Sequence, residues 1–225
     1  MSVGLVLVSH SAKLAEGVAE VAAQMAPDVT IVPAGGLPDG GIGTDYDSVV
    51  AAVQRADSGS GVVLLYDLGS AQMTAELAVE SLADPEAVVV ADAPLVEGTV
   101  AAAVAAQNGA DRGGVLEAAA AAGAPPELGS AAPEAVTESV DLALTNEVGL
   151  HARPAAVLAR GLAGFEAEVS VRLGDQEADA RSVLALMALG ARKGDRIQVR
   201  ASGPQAGEAL RAVQELVEDN FGEPA

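Results

Sequence analysis

Residues 5–17 read LVLVSHSAKLAEG. The apolar run Val3–Val8 predicts a strand. Lys13–Met25, with Leu14, Val18 and Val21 at helical spacing, predicts a helix. Between them stands the polar junction Ser9-His10-Ser11. The same alternation continues, with strands expected at Val29–Pro33, Gly61–Tyr66 and Ala87–Val90 and helices at Asp45–Arg55, Ala71–Leu82 and Val96–Gln107. An α/β fold follows: a mainly parallel sheet with helices on both faces. In such sheets the functional crevice lies at the carboxyl ends of the strands, where His10 falls.

The second half has another rhythm. Strands are expected at Val140–Leu144, Glu168–Leu173, from Glu177 to Asp179, and at Arg196–Ala201. Helices are expected at Arg153–Leu162, Ser182–Leu189 and Ala206–Val217. The order β-α-β-β-α-β-α predicts an open-faced α/β sandwich with an antiparallel sheet. Between the halves, AAAAAGAPPELGSAAPEAVTES (Ala118–Ser139) carries three prolines and no sustained apolar period. The expected organisation is a first domain at 1–122, a linker at 123–137 and a second domain at 138–225.

Composition narrows the function classes. Half of the 225 residues are hydrophobic, with two Phe, two Tyr and no Trp, so any core is packed from small aliphatic side chains. There is no cysteine, which excludes disulfides and thiolate metal sites, and two histidines make a zinc site a poor expectation. The start lacks the basic region of a signal peptide, and no apolar run nears the roughly 20 residues that span a bilayer. A soluble cytoplasmic protein is expected. The net charge of −20 argues against bulk binding of nucleic acid. That charge is uneven: residues 1–136 hold 3 basic against 18 acidic residues, a net of −15, and residues 137–225 hold 9 against 14, a net of −5.

The second histidine lies in NEVGLHARPAA (Asn146–Ala156), just ahead of a predicted helix. A helix N-terminus presents unpaired N–H groups and partial positive charge, which suits an anion. There His151 is a candidate nucleophile, with Arg153 able to hold phosphoryl oxygens. Pro154 sits in the first turn, where proline is tolerated. A helix-capping surface histidine is the plain alternative. The motif GLHARPA resembles HPr, the histidine phosphocarrier of the phosphoenolpyruvate-dependent phosphotransferase system, over about residues 138–222. The resemblance implies that His151 is phosphorylated on Nδ1 and that Arg153 contacts the phosphoryl group. It also implies a regulatory serine at Ser182. A serine in DARSVLAL is explained equally by helix N-capping, which is the preferred reading.

Two further segments should reach the carboxyl edge beside His10: GGLPDGGIGTDYDS (Gly35–Ser48) and YDLGSAQM (Tyr66–Met73). Asp67 is the candidate that orients the imidazole and fixes its tautomer. Ser70, Thr44 and the N–H groups around Gly43 and Gly69 are candidates to cradle a phosphoryl group, and Thr44 to cap the next helix. SHS is not the G-x-S-x-G of a serine hydrolase. VLVSHSAKLAEGV, DLGSA and APLVEGTVAAAVAA resemble the mannose-type IIA domain over about residues 1–122, and more narrowly the DhaM family, phosphoryl-donor subunits of phosphotransferase-dependent dihydroxyacetone kinases. The resemblance implies phosphorylation of His10 on Nε2, with Asp67 as its partner, and a homodimer through the first domain. It implies Enzyme I acting in trans, since long family members carry part of Enzyme I and this sequence ends at Ala225. It also implies DhaL, and through it DhaK, as partners.

Taken together, the two resemblances imply a relay through the two histidines: phosphoenolpyruvate, Enzyme I, His151, His10, ADP held in DhaL. No cofactor or metal is expected on this chain; magnesium and ADP or ATP belong to the partners. The alternatives are a IIA–HPr fusion feeding a mannose-type sugar permease, and a regulatory adaptor controlled by phosphorylation.

Overall fold

The computed structural model describes residues 2–123 and 138–222. They form two compact units that divide at Pro125/Pro126. The expected linker at 123–137 lies, from residue 124 on, outside the described residues.

The first unit contains β1 (Gly4–Ser9), α1 (Ala12–Met25), β2 (Ile31–Gly35), α2 (Tyr46–Ala56), β3 (Val62–Tyr66), α3 (Gly69–Glu80), β4 (Val88–Val90), α4 (Leu95–Gln107) and α5 (Arg112–Ala121). Its strands form a parallel sheet in the order β2-β1-β3-β4. Leu5 pairs with Ile31 on one side and Val63 on the other. Strands buried on both faces read as unbroken apolar runs, which is why GLVLVS and VVLLY show no polar alternation. Leu5, Leu7, Val63 and Leu65 pack with Ala15, Val18, Ala102, Val115 and Ala119. Val6, Val8, Val62 and Leu64 pack with Val49, Ala52, Ala71 and Ala75 on the opposite face. Helices therefore cover both faces. After β1 the chain crosses to β2 on one side and later returns to β3 on the other. The carboxyl ends of β1 and β3 thus flank a switch point.

Two details depart from the sequence expectations. The periodic residues Leu14 and Val21 of α1 are 42% and 46% exposed. The buried face is Ala15, Val18, Ala22 and Met25, one residue round the helix, so that mostly small side chains meet the sheet. Helix α5 was not expected, because its Ala run reads as the start of a linker. It is capped by Asp111, whose side chain accepts from the Gly114 N–H, and it buries Val115 and Ala119. Close packing of α5 on α4 depends on Gly98, where an added Cβ would meet Ala93, Leu65 and the Ala119 carbonyl at 3.0–3.4 Å.

The second unit contains β5 (Glu138–Ala143), α6 (Ala152–Leu162), β6 (Glu168–Leu173), β7 (Gln176–Asp179), α7 (Val183–Ala188), β8 (Arg196–Ser202) and α8 (Ala206–Glu218). The sheet is antiparallel, β5-β8-β6-β7. Ile197, Val199 and Ala201 of β8 are buried and alternate with more exposed residues, the pattern of a sheet covered on one face. The helices supply Leu158, Leu162, Leu186, Val213 and Val217 to that core. Among the described residues, no helix is long and apolar enough to cross a membrane.

Candidate functional site

The apolar run of β1 ends at Ser9, and His10 is the next residue. Asp67 follows β3 directly, so parallel pairing of β1 with β3 brings the two side by side. His10 Nδ1 lies 2.8 Å from Asp67 Oδ1, and the His10 backbone N–H donates to Oδ2 at 2.8 Å. The Ser9 hydroxyl also donates to Oδ2, at 2.9 Å, and the Leu68 N–H donates to Oδ1 at 2.8 Å. Four donors thus converge on one carboxylate. Burial pushes the Asp67 carboxyl up, but the bonds from the His10 backbone and ring, Ser9 and Leu68 outweigh it and hold the group below the usual carboxylate value. An ionised carboxylate only accepts, so in the neutral imidazole Nδ1 carries the ring proton and Nε2 the lone pair. The Ser70 hydroxyl sits 2.7 Å from Nε2 and is then the donor of that bond.

Ser70 reaches this place because α3 begins at Gly69, two residues earlier than expected. Leu68 is its N-cap and makes no side-chain cap bond, and the first N–H groups of a helix have no partner within it.

Two expected cradle residues act otherwise. The Gly43 N–H is donated to the His10 carbonyl at 2.9 Å, so the glycine loop holds the main chain of His10 instead of offering a free donor. Thr44 does not cap α2. Asp45 does, accepting from the Ser48 N–H at 2.9 Å, because its carboxylate is the stronger N-cap. The Thr44 hydroxyl pairs instead with that of Thr74 at 2.9 Å, and Thr74 binds the Ser70 carbonyl at 3.1 Å. The loop after β2 is thereby tied to the turn that carries Ser70. Ser9 and Thr74 were not singled out from the sequence. The only signal for Ser9 was its place beside His10, and Thr74 gave none.

In the second unit, His151 occupies the N-cap position of α6 with extended backbone and makes no side-chain cap bond to the helix. Gly149 shapes the approach: its φ is +78°, and a Cβ there would lie 2.2 Å from the Ala191 carbonyl oxygen. The Leu150 N–H donates to that carbonyl at 2.9 Å, pinning the loop ahead of His151. Pro154 is buried in the first turn of α6. Arg153 is exposed in that turn and has no ion pair among the described residues. Ser182 is the N-cap of α7, its hydroxyl accepting from the Ala185 N–H at 3.2 Å. Among the described residues, no three His, Cys, Asp or Glu side chains are grouped as metal ligands.

The family model described as "PTS system fructose IIA component" matches residues 4–116, and "PTS HPr component phosphorylation site" matches residues 139–219. The phosphoryl donor subunit DhaM of a PEP-dependent dihydroxyacetone kinase from Klebsiella michiganensis is 39% identical over 243 aligned residues, 99% of this chain and 51% of that protein. A DhaM of Listeria innocua is 42% identical over 100 residues, 44% of this chain and 78% of its own. The chain belongs to the DhaM family. It spans about half the length of the longer DhaM relatives it matches. Its second unit is also similar to phosphocarrier protein NPr of Escherichia coli, 48% identical over 81 residues that cover 36% of this chain and 90% of that protein. The α/β architecture of both units agrees with the sequence expectation.

Proposed function

We propose that this chain is a cytoplasmic phosphocarrier subunit with two stations, a IIA-like domain at 1–122 and an HPr-like domain at 138–225, joined by a linker at 123–137. Its phosphoryl group comes from phosphoenolpyruvate through Enzyme I, passes to His151 and then His10, and ends on ADP held by DhaL, which serves DhaK-bound dihydroxyacetone. One observation carries the reading: Asp67 engages Nδ1 of His10 and so leaves Nε2 as the nucleophilic nitrogen at the carboxyl edge of the sheet.

The transfer balances without a cofactor on the chain. The Nε2 lone pair of His10 forms an N–P bond as the N–P bond on His151 breaks and releases that imidazole in neutral form. His10 keeps its Nδ1 proton throughout, and Asp67 opposes the positive charge that phosphorylation places on the ring. Ser70 turns off Nε2 to admit the phosphorus and then donates to a phosphoryl oxygen, alongside the first-turn N–H groups of α3. In the next step a terminal phosphate oxygen of ADP attacks, the His10 N–P bond breaks and ATP forms. At His151, Arg153 and the first turn of α6 hold the group in the same manner. A tether between the stations raises the effective concentration of their encounter. For Ser182, the N-cap bond alone accounts for the residue.

The test charges the chain with Enzyme I and phosphoenolpyruvate, removes both, and adds ADP-loaded DhaL. Loss of the phosphoryl mass with conversion of ADP to ATP is expected. Stable charging without transfer refutes the assigned acceptor. His10 that charges normally in His151→Ala, with no separate HPr present, refutes the internal relay.

A further inference from the structure

Ser9, Thr99 and Asn146 are the buried polar residues among those described. Burying a hydroxyl is unfavourable unless its hydrogen bonds are met. Thr99 meets them within its own helix, at the Leu95 carbonyl. Ser9 does so by reaching from the end of β1 to the segment after β3. Its oxygen accepts from the Ser11 N–H at 3.1 Å, and its proton goes to Asp67 Oδ2 at 2.9 Å. Both partners are fixed, because Ser11 caps α1 through Leu14 and Asp67 leads into α3. The hydroxyl therefore has one orientation.

The consequence falls on the carboxylate. Oδ1 is held by the His10 ring and the Leu68 N–H, and Oδ2 by Ser9 and the His10 backbone. Without Ser9, a single donor holds Oδ2. The group then gains freedom to rotate about its terminal bond, and Oδ1 leaves the plane of the imidazole. Every other position of β1 but Gly4 is an apolar Leu or Val, and Ser9 is the one hydroxyl of the strand.

We propose that Ser9 is a positioning residue for His10: its buried hydroxyl clamps Asp67 so that the carboxylate receives the Nδ1 proton in its hydrogen bond and leaves the lone pair on Nε2. The proposal rests on the reading of His10 as a phosphoryl carrier, yet the clamp is a property of the uncharged protein and is measured there. The full chain, labelled with 15N, is compared as wild type, Ser9→Ala and Ser9→Thr by ring-nitrogen NMR near neutral pH, with single-turnover transfer to His10 followed in parallel. The wild type shows the Nδ1–H tautomer of His10. Ser9→Ala shows a mixture and transfers about tenfold more slowly, the effect of one hydrogen bond to a charged group. Ser9→Thr restores both readouts. Ser9→Cys, closer in volume but with a far weaker donor, carries the same expectation if alanine disturbs folding. An unchanged tautomer in a folded Ser9→Ala or Ser9→Cys chain overturns the proposal, as does slower transfer with no change in tautomer. A wild type that shows Nδ1–H and loses it in Ser9→Ala, yet accepts no phosphoryl group, supports the clamp and refutes the phosphocarrier reading.

Discussion

Replacing Asp67 with asparagine tests the logic of the His10 site most directly. The carboxylate receives two donors on each oxygen. An amide has one accepting oxygen, so two of the four donors must face an NH2 group. The Ser9 proton is already committed, because its oxygen accepts from Ser11. The amide oxygen therefore takes the side of Ser9 and the His10 backbone, and the NH2 group faces Nδ1 and the Leu68 N–H. An NH2 donor opposite Nδ1 forces the ring proton onto Nε2 and removes the nucleophilic lone pair. Two bonds to an ionised carboxylate are lost, each about 1.5–3 kcal/mol, or about 3–6 kcal/mol together. The pair is largely shielded, with side chains 22% and 12% exposed, so solvent screening removes little of this. At about 1.4 kcal/mol per factor of ten, transfer to His10 slows by about two to four orders of magnitude. That range includes the roughly 10^4 loss from the corresponding wrong tautomer in serine-protease triads. The assay is a single turnover from phosphorylated HPr-like domain to the first unit, quenched and read by intact mass. Charging of His151 should be unchanged. A folded Asp67→Asn chain that transfers within threefold of wild type refutes the tautomer argument.

Two other outcomes follow from the geometry. Gly149→Ala places a methyl group against the Ala191 carbonyl at a positive φ, so thermal denaturation should find the second unit destabilised by about 1–3 kcal/mol or more, with the first unit unaffected. Because the Asp67 carboxyl is held below its ordinary value, its contribution to stability is complete above the usual carboxylate range and is lost as pH falls through the lowered folded value. Acid titration should show a loss of first-unit stability below about pH 4 that is smaller in Asp67→Asn, and carboxyl 13C shifts should place the Asp67 midpoint below that of free aspartate.

Much of the fold is legible in the chain because its signals are local. Unbroken apolar runs such as VVLLY announce strands buried on both faces, and the β-α-β-β-α-β-α order of the second half fixes an antiparallel sheet. Helix α5 is hard to read in the sequence because Gly113 and Gly114 weaken its first turn and its alanines, though strong helix formers, carry little apolar periodicity. Its stability comes from Val115 and Ala119 meeting α4 and the sheet, a contact between distant segments. The buried face of α1 was displaced for a similar reason, since the sheet selects Ala15 and Ala22 for close approach over the larger Leu14 and Val21.

The candidate site divides along the same line. Sequence alone determined that His10 and His151 stand at junctions leading into helices, that Asp67 and Ser70 lie past the third strand, and that Gly149 and Pro154 frame the second histidine. These are statements about neighbours in the chain and about where parallel strands end. Only the tertiary structure decided the hydrogen-bond partners. It spent the Gly43 N–H on the His10 carbonyl, turned Thr44 towards Thr74, and brought the Ser9 hydroxyl across to Asp67. Such choices depend on strand register and on distances of a few tenths of an ångström between residues 30 to 58 positions apart. Composition and periodicity carry no record of them.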